Sequence, residues 1–232
     1  MSLIVTIKTM EGFIMAGDSR ASMQIRQTEE AMALSGIRHY SDTFSKVFSA
    51  PNGAGISFCG EMATSQGNVH YFADRFLKEE VSADMPLEEL PKALFQAIKQ
   101  LEKVPSTIFH VCGYDRGEPR LWRVIPKKGV IEAVGEKNII WDGEGDILAR
   151  LISPVSIRNP KGEMMPLPDY PVALNLFTLQ DAAEFADFAL NTTMDAMRFQ
   201  VRPKTVGGAV DLLAITPERY LWLRKKELGV SK

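Results

Sequence analysis

A chain of 232 residues, 45% hydrophobic and 24% charged, has ordinary globular proportions and enough length to bury a substantial core. Its formal net charge of -2, with no long basic stripe, argues against nucleic acid as a partner, because backbone binding needs clustered Lys and Arg. No apolar run approaches the ~20 residues that span a bilayer, and Lys8 and Glu11 interrupt any early signal-peptide pattern, so a cytoplasmic address with no membrane partner is expected.

The elements read in chain order as follows. Residues 3–9 are rich in β-branched side chains and predict a strand. Met10-Glu11-Gly12 makes a tight turn, and Phe13 to Gly17 returns as a second strand. The segment 21–45 is polar and weakly patterned, with a short helix expected around Glu29–Leu34. A strand from Lys46 to Ala50 meets the turn Pro51-Asn52-Gly53, and another follows from Ala54 to Cys59. Gly60 is expected to open a helix reaching about Glu80, with Met62, Val69, Phe72, Ala73 and Phe76 at helical spacing. A second helix over Leu87–Glu102 carries Leu90, Leu94, Ala97, Ile98 and Leu101 as one stripe.

Strands return at Thr107–Tyr114, Arg120–Ile125 and Lys137–Trp141, and a helix follows from Asp146 to Ile152. The proline-rich segment 154–171 reads as an extended loop. Thr178 and Asp181 form a capping box for a long helix ending near Phe199. Strands Ala209–Ile215 and Tyr220–Arg224 close the pattern, and Arg224, Lys225 and Lys226 read as a solvated strand end. Hairpin-joined strands predict antiparallel sheets, and helices must then cover their outer faces. The expected fold is α+β, a four-layer α/β/β/α sandwich of two antiparallel sheets, in one domain over residues 1–232.

Few residues outside the motifs suggest chemistry. Cys59 and Cys112 sit in apolar runs and offer neither a disulfide framework nor metal spacing. The acidic run Asp142, Glu144, Asp146 lacks the further ligands of a calcium loop. His39, His70 and His110 are scattered and read as structural or exposed. No cofactor or metal is called for.

Four motifs in order carry a resemblance. They are Ser2-Leu3-Ile4-Val5-Thr6-Ile7-Lys8 with Gly12 through Asp18-Ser19-Arg20, then Ser45-Lys46-Val47-Phe48, then Ile56-Ser57-Phe58-Cys59-Gly60, then Val206-Gly207-Gly208-Ala209-Val210-Asp211. The chain resembles proteasome β-subunits and the bacterial proteasome-like peptidases over nearly its whole length, with an insertion inside 21–45. These are N-terminal-nucleophile (Ntn) hydrolases. The family's catalytic N-terminal threonine precedes the Asp of its A-x-D-S-R-like motif by the spacing that separates Ser2 from Asp18. The resemblance implies that Ser2 becomes the nucleophile once Met1 is removed, with its own α-amine as base. It implies that Lys46 lies beside the nucleophile, that Asp18 pairs with Lys46, and that the Gly60 N–H forms the oxyanion hole.

These roles make physical sense. A serine hydroxyl is a poor nucleophile until a base takes its proton, and an α-amine with a reference pKa of ~7.7–8.0 can do so. A nearby ammonium favours the alkoxide-like transition state, and a carboxylate keeps a buried lysine charged. The implied substrate is a peptide or amide, hydrolysed through an acyl-enzyme that an amine could also intercept. The resemblance further implies a homo-oligomer, associating through the helices after Gly60, and an ATPase as a partner.

Two motifs depart from the family pattern. Gly143-Glu144-Gly145 stands where the family has Gly-Ser-Gly, and Pro203-Lys204-Thr205-Val206-Gly207-Gly208 stands where it has Asp-x-x-Ser-Gly-Gly. A hydroxyl from Thr205 is the nearest substitute. These losses favour the second function class, a non-catalytic, ring-forming structural subunit.

Overall fold

A computed structural model describes residues 2–25 and 36–227. In chain order the strands and helices are β1 (Leu3–Lys8), β2 (Phe13–Gly17), β3 (Ala21–Ile25), β4 (Gly36–Ser41), β5 (Val47–Ser49), β6 (Gly55–Gly60), β7 (Ala63–Thr64), β8 (Gly67–Asn68), α1 (Val69–Glu79) and α2 (Leu90–Lys99). There follow β9 (Thr107–Asp115), β10 (Glu118–Ile125), β11 (Val130–Ala133), β12 (Ile139–Gly143), α3 (Asp146–Ile152), β13 (Ser156–Arg158), β14 (Met164–Pro166), α4 (Leu179–Phe199), β15 (Asp211–Ile215) and β16 (Tyr220–Arg224). The fold is mixed α/β. One five-stranded sheet has the order β12-β1-β2-β15-β16 and the other β11-β10-β9-β6-β5. Every pairing within them is antiparallel, as hairpin connections require.

Side-chain alternation explains why the central strands of the first sheet, β1, β2 and β15, are buried on both faces while the edge strand β16 is largely exposed. Ile14 and Ala16 of β2 join Leu3, Val5 and Ile7 of β1 in a cluster with α3 and α4. Phe13 and Met15, which point the other way, join Val47, Cys112, Leu121 and Leu213 in a cluster drawn from both sheets. A third cluster packs Phe58, Phe109 and Val111 of the second sheet against Phe72 and Phe76 of α1 and Leu90, Leu94 and Ile98 of α2.

Several elements differ from the sequence reading. The helix expected to open at Gly60 starts at Val69, because residues 61–68 form the small hairpin β7–β8 and Asn68 caps the helix through Tyr71 N–H at 2.8 Å. Met62 keeps its place beside the apolar cluster without being helical. Strands β3 and β4 pair antiparallel within the segment 21–45, whose weak patterning predicts no strand. The helix expected at Glu29–Leu34 lies outside the described residues. Strand β11, exposed along its length, has no apolar alternation to announce it. The expected loop at 154–171 carries the short hairpin β13–β14.

The long helix α4 begins as its sequence predicts. Thr178 Oγ1 accepts from Asp181 N–H, and an Asp181 oxygen accepts from Thr178 N–H at 2.9 Å. Thr178→Ala is expected to lower stability by about 1 kcal/mol, a fall in Tm of roughly 2–4 °C. A Thr178→Ser control should melt like the parent by scanning calorimetry. Equal melting of all three would remove the cap from the account.

Candidate functional site

Strand β1 begins directly after Ser2, and β2 ends directly before Asp18, so the two residues meet at the same end of one antiparallel pair. Asp18 N–H donates to Leu3 O, and Leu3 N–H donates to Asp18 Oδ1 at 3.0 Å. Lys46 enters from the other sheet, just before β5, where its carbonyl accepts from Phe58 N–H of β6. Its Nζ donates to the same Asp18 Oδ1 at 2.7 Å and to Arg20 O at 2.6 Å. Asp18 Oδ2 accepts from Arg20 N–H and Gly207 N–H. The carboxylate therefore takes four hydrogen bonds, and both side chains of the pair have no solvent exposure.

Burial is the larger influence on Lys46 and pulls its pKa below the ordinary lysine value; the Asp18 charge and hydrogen bond oppose it. Cys59, also buried, has its thiol pushed well up by desolvation. That leaves it a small apolar filler beside the pair rather than a nucleophile.

Ser2 is wholly buried, and its hydroxyl has no hydrogen-bond partner among the described residues. No hydrogen bond joins it to Lys46. The ammonium has three N–H groups and uses two of them in the bonds above. Since Asp18 Oδ1 bridges Lys46 Nζ and Leu3 N–H, the lysine lies next to the Ser2–Leu3 peptide.

Gly60 is the last residue of β6, with φ of +119°, a region that favours glycine. An added Cβ would lie 2.3 Å from Ser106 O. Because the helix begins nine residues later, at Val69, no helix N-terminus lies at Gly60 to add its partial positive charge there.

The departures from the family pattern form their own structure. Glu144 N–H donates to Ser2 O at 2.8 Å. Gly143 must be glycine, since its φ is +98° and a Cβ would fall 1.8 Å from that same oxygen. The Glu144 carboxylate pairs with Arg202 and accepts from Thr205 Oγ1 at 2.9 Å, and Arg202 also reaches Asp146 at 2.8 Å. Thr205 is thus hydrogen-bonded to Glu144, and Arg202 is a residue that sequence reasoning missed. Val206, where the family has serine, is buried in the cluster under α4.

A second polar group lies between the sheets. His110 bonds Thr6 Oγ1 at 2.9 Å through Nδ1 and Asp142 Oδ2 at 3.0 Å through Nε2, and Arg123 pairs with Asp142. Burial lowers the His110 pKa, against the pull of Asp142. Desolvation alone would raise Asp142, but the hydrogen bonds from His110 and Arg123 outweigh it and hold its carboxyl below the usual range. An ionised Asp142 accepts only, so Nε2 carries the proton and Nδ1 accepts from the Thr6 hydroxyl. Lys226, expected as part of a solvated strand end, is instead turned inward onto Asp211 at 2.7 Å.

No protein-family profile matches the chain, and no curated protein sequence matches it. Solved structures do. A Gly-1 mutant of Anbu from Hyphomicrobium sp. strain MC1 superposes with a TM-score of 0.62 at 18% identity, over 97% of this chain and 86% of that one. Another Anbu structure from the same strain gives 0.59 at 17% identity, over 97% and 88%. Anbu, an ancestral beta-subunit, from Yersinia bercovieri gives 0.56 at 17% identity, over 95% and 86%. At these identities the likeness is one of fold, and that fold is proteasome-like.

Breaking the buried pair leaves an uncompensated charge. Asp18→Asn is expected to destabilise by about 3–5 kcal/mol, roughly 10 °C in Tm. A melt within about 2 °C of the parent would mean that Lys46 is not held as described.

Proposed function

We propose that the chain is a proteasome-like Ntn amidohydrolase whose nucleophile is Ser2, freed by removal of Met1, built as a single four-layer α/β/β/α domain. The layering is supported by the three buried clusters, two of them between helices and a sheet and one drawn from both sheets. One observation carries the catalytic reading. An unpartnered, wholly buried serine hydroxyl belongs to the residue whose peptide N–H, at Leu3, shares Asp18 Oδ1 with a wholly buried ammonium that spends two of its three N–H groups on Asp18 and Arg20.

The reaction follows from these groups. The Ser2 hydroxyl attacks the amide carbonyl and passes its proton to its own α-amine. Lys46, kept charged by Asp18, stabilises the developing negative charge, and the Gly60 N–H receives the oxyanion. Collapse breaks the C–N bond, and the amine base returns the proton to the leaving group. The resulting ester is released by water, activated by the same amine; an amine acceptor in place of water gives transamidation. The substrate is a peptide or amide. Homo-oligomerisation through α1, α2 and their loops, with an ATPase as partner, belongs to the same reading. A non-catalytic, ring-forming subunit is the second reading, favoured by the full burial of Ser2 and by Glu144, Pro203 and Val206 at the supporting positions of the family it resembles.

A β-lactone is expected to label the Met1-free protein at Ser2, as read by intact and peptide mass spectrometry. Ser2→Thr should keep the label, and Lys46→Ala should slow labelling by a factor on the order of 10²–10³ or more. The rate should climb as the α-amine loses its proton, near pH ~7.7–8.0. It should decline at alkaline pH before an ordinary lysine would titrate, because burial lowers the Lys46 pKa and the discharged amine no longer stabilises the oxyanion. A Met1-free protein that resists the warhead would leave the structural subunit as the function.

A further inference from the structure

The motif ending in Asp211 is unused by the reaction above. Asp211 opens β15, opposite Gly17 in β2, and is wholly buried. Its two oxygens take both donors of one residue: Oδ1 accepts from Lys226 N–H at 2.9 Å, and Oδ2 accepts from Lys226 Nζ at 2.7 Å. The same ammonium donates to Ser19 Oγ and to Phe44 O, each at 2.9 Å. All three protons of Lys226 Nζ are therefore placed. Ser19 spends its own proton on Ala209 O at 2.6 Å, so its oxygen can only accept from the lysine.

These partners are not scattered. Ser19 follows Asp18 directly, and Phe44 stands two residues before Lys46. Phe44 N–H also donates to Ser19 O, so the two segments are already in contact where the ammonium spans them. The segment after β16 thus ties together the two pieces of chain that deliver the carboxylate and the ammonium of the candidate site.

We infer that Lys226 is a positioning residue for the Ser2 reaction: its ammonium, anchored by Asp211, clasps Ser19 and Phe44 and so sets the relation of Asp18 to Lys46. This rests on the proposed Ser2 chemistry. The electrostatics agree with the geometry. Lys46 is faced by Asp18, by Cys59 from β6 and by Lys226, and the Lys226 charge is among the influences that lower the Lys46 pKa, after burial. Two ammoniums and two carboxylates then form one neutral cluster around Ser19.

The experiment compares wild type, Lys226→Met, Lys226→Arg and the double variant Lys226→Met/Asp211→Asn, all full-length and free of Met1, with folding checked by circular dichroism. The double variant removes both charges, so it is read for the rate if Lys226→Met alone fails to fold. Two quantities are measured: the pH dependence of Ser2 acylation by a β-lactone, and the titration midpoint of Lys46 by lysine-selective NMR. Lys226→Met is expected to slow acylation by roughly 10- to 100-fold, the cost of a misplaced reacting group, and to move the Lys46 midpoint upward. The double variant should show the same slowing. Lys226→Arg should recover most of the rate and keep the wild-type midpoint. Folded variants with wild-type rate and midpoint overturn the inference. So does a slowing with an unmoved midpoint and no recovery in Lys226→Arg, which would make the residue merely structural. A wild type that is never acylated, with a Lys46 midpoint that still rises in Lys226→Met, removes the enzyme and keeps the clasp. The same silent wild type with an unmoved midpoint removes both.

Discussion

The buried pair of Lys46 and Asp18 is the constraint from which the rest of this end of the molecule follows. Taking an ammonium and a carboxylate out of water costs several kcal/mol for each ion, and their mutual attraction repays it only if the remaining hydrogen bonds are also made. Asp18 meets that condition with N–H groups from Leu3, Arg20 and Gly207 besides the lysine. Those donors come from the start of β1, the short segment between β2 and β3, and the loop before β15. Three distant parts of the chain are therefore tied to one carboxylate, the first residues of β1 among them.

The layer between the two sheets repeats this logic farther in. Phe13, Met15, Leu121, Ile140 and Leu213 would fill it as a plain apolar core. Thr6, His110, Asp142 and Arg123 instead run a polar chain through it, joining β1 and β12 of one sheet to β9 and β10 of the other. An apolar interface tolerates sliding, but a buried network in which each donor has one acceptor is satisfied in one arrangement only. The chain thus fixes how one sheet sits on the other, and so how Lys46, carried beside the second sheet, meets Asp18 on the first.

Much of the fold was legible because its signals are local. The Thr178–Asp181 capping box and the Asp146–Ile152 helix were readable from a few neighbouring residues, as were the β1–β2 and β15–β16 hairpins. Asp18 and Lys46 were legible only through motif resemblance, and the structure joins them. What escaped was non-local or lacked periodicity. Strand β11 has no buried face, and the β7–β8 hairpin interrupts a run whose apolar spacing imitates a helix. Arg202 and Lys226 look like any surface cation until the fold presents a carboxylate; Lys226 lies 207 residues from Ser19 in sequence. The solvated end expected for the basic triplet holds for Arg224 and Lys225, which are exposed, and fails at Lys226, whose carboxylate partner composition could not reveal.

Glu144, Pro203 and Val206 stand where the family that the sequence resembles has Ser, Asp and Ser, and Arg202 and Thr205 bond the Glu144 carboxylate. Glu144 holds Ser2 through its main chain, by the N–H to the Ser2 carbonyl, while its carboxylate is engaged by Arg202 on one oxygen and Thr205 on the other. With both oxygens taken and its charge matched by a guanidinium, the side chain is poorly placed to act as a base. It stands beside Ser2 as an engaged group, its guanidinium partner shared with Asp146. In the proposed reaction, orientation of the α-amine would then come from the main-chain grip of residues 143–144, where only glycine fits at 143, and not from side-chain hydroxyls. The electrostatic work would fall almost wholly on Lys46. A site so dependent on one ammonium has reason to fix that ammonium from both sides, by Asp18 within the sheet and by the Lys226 clasp behind it.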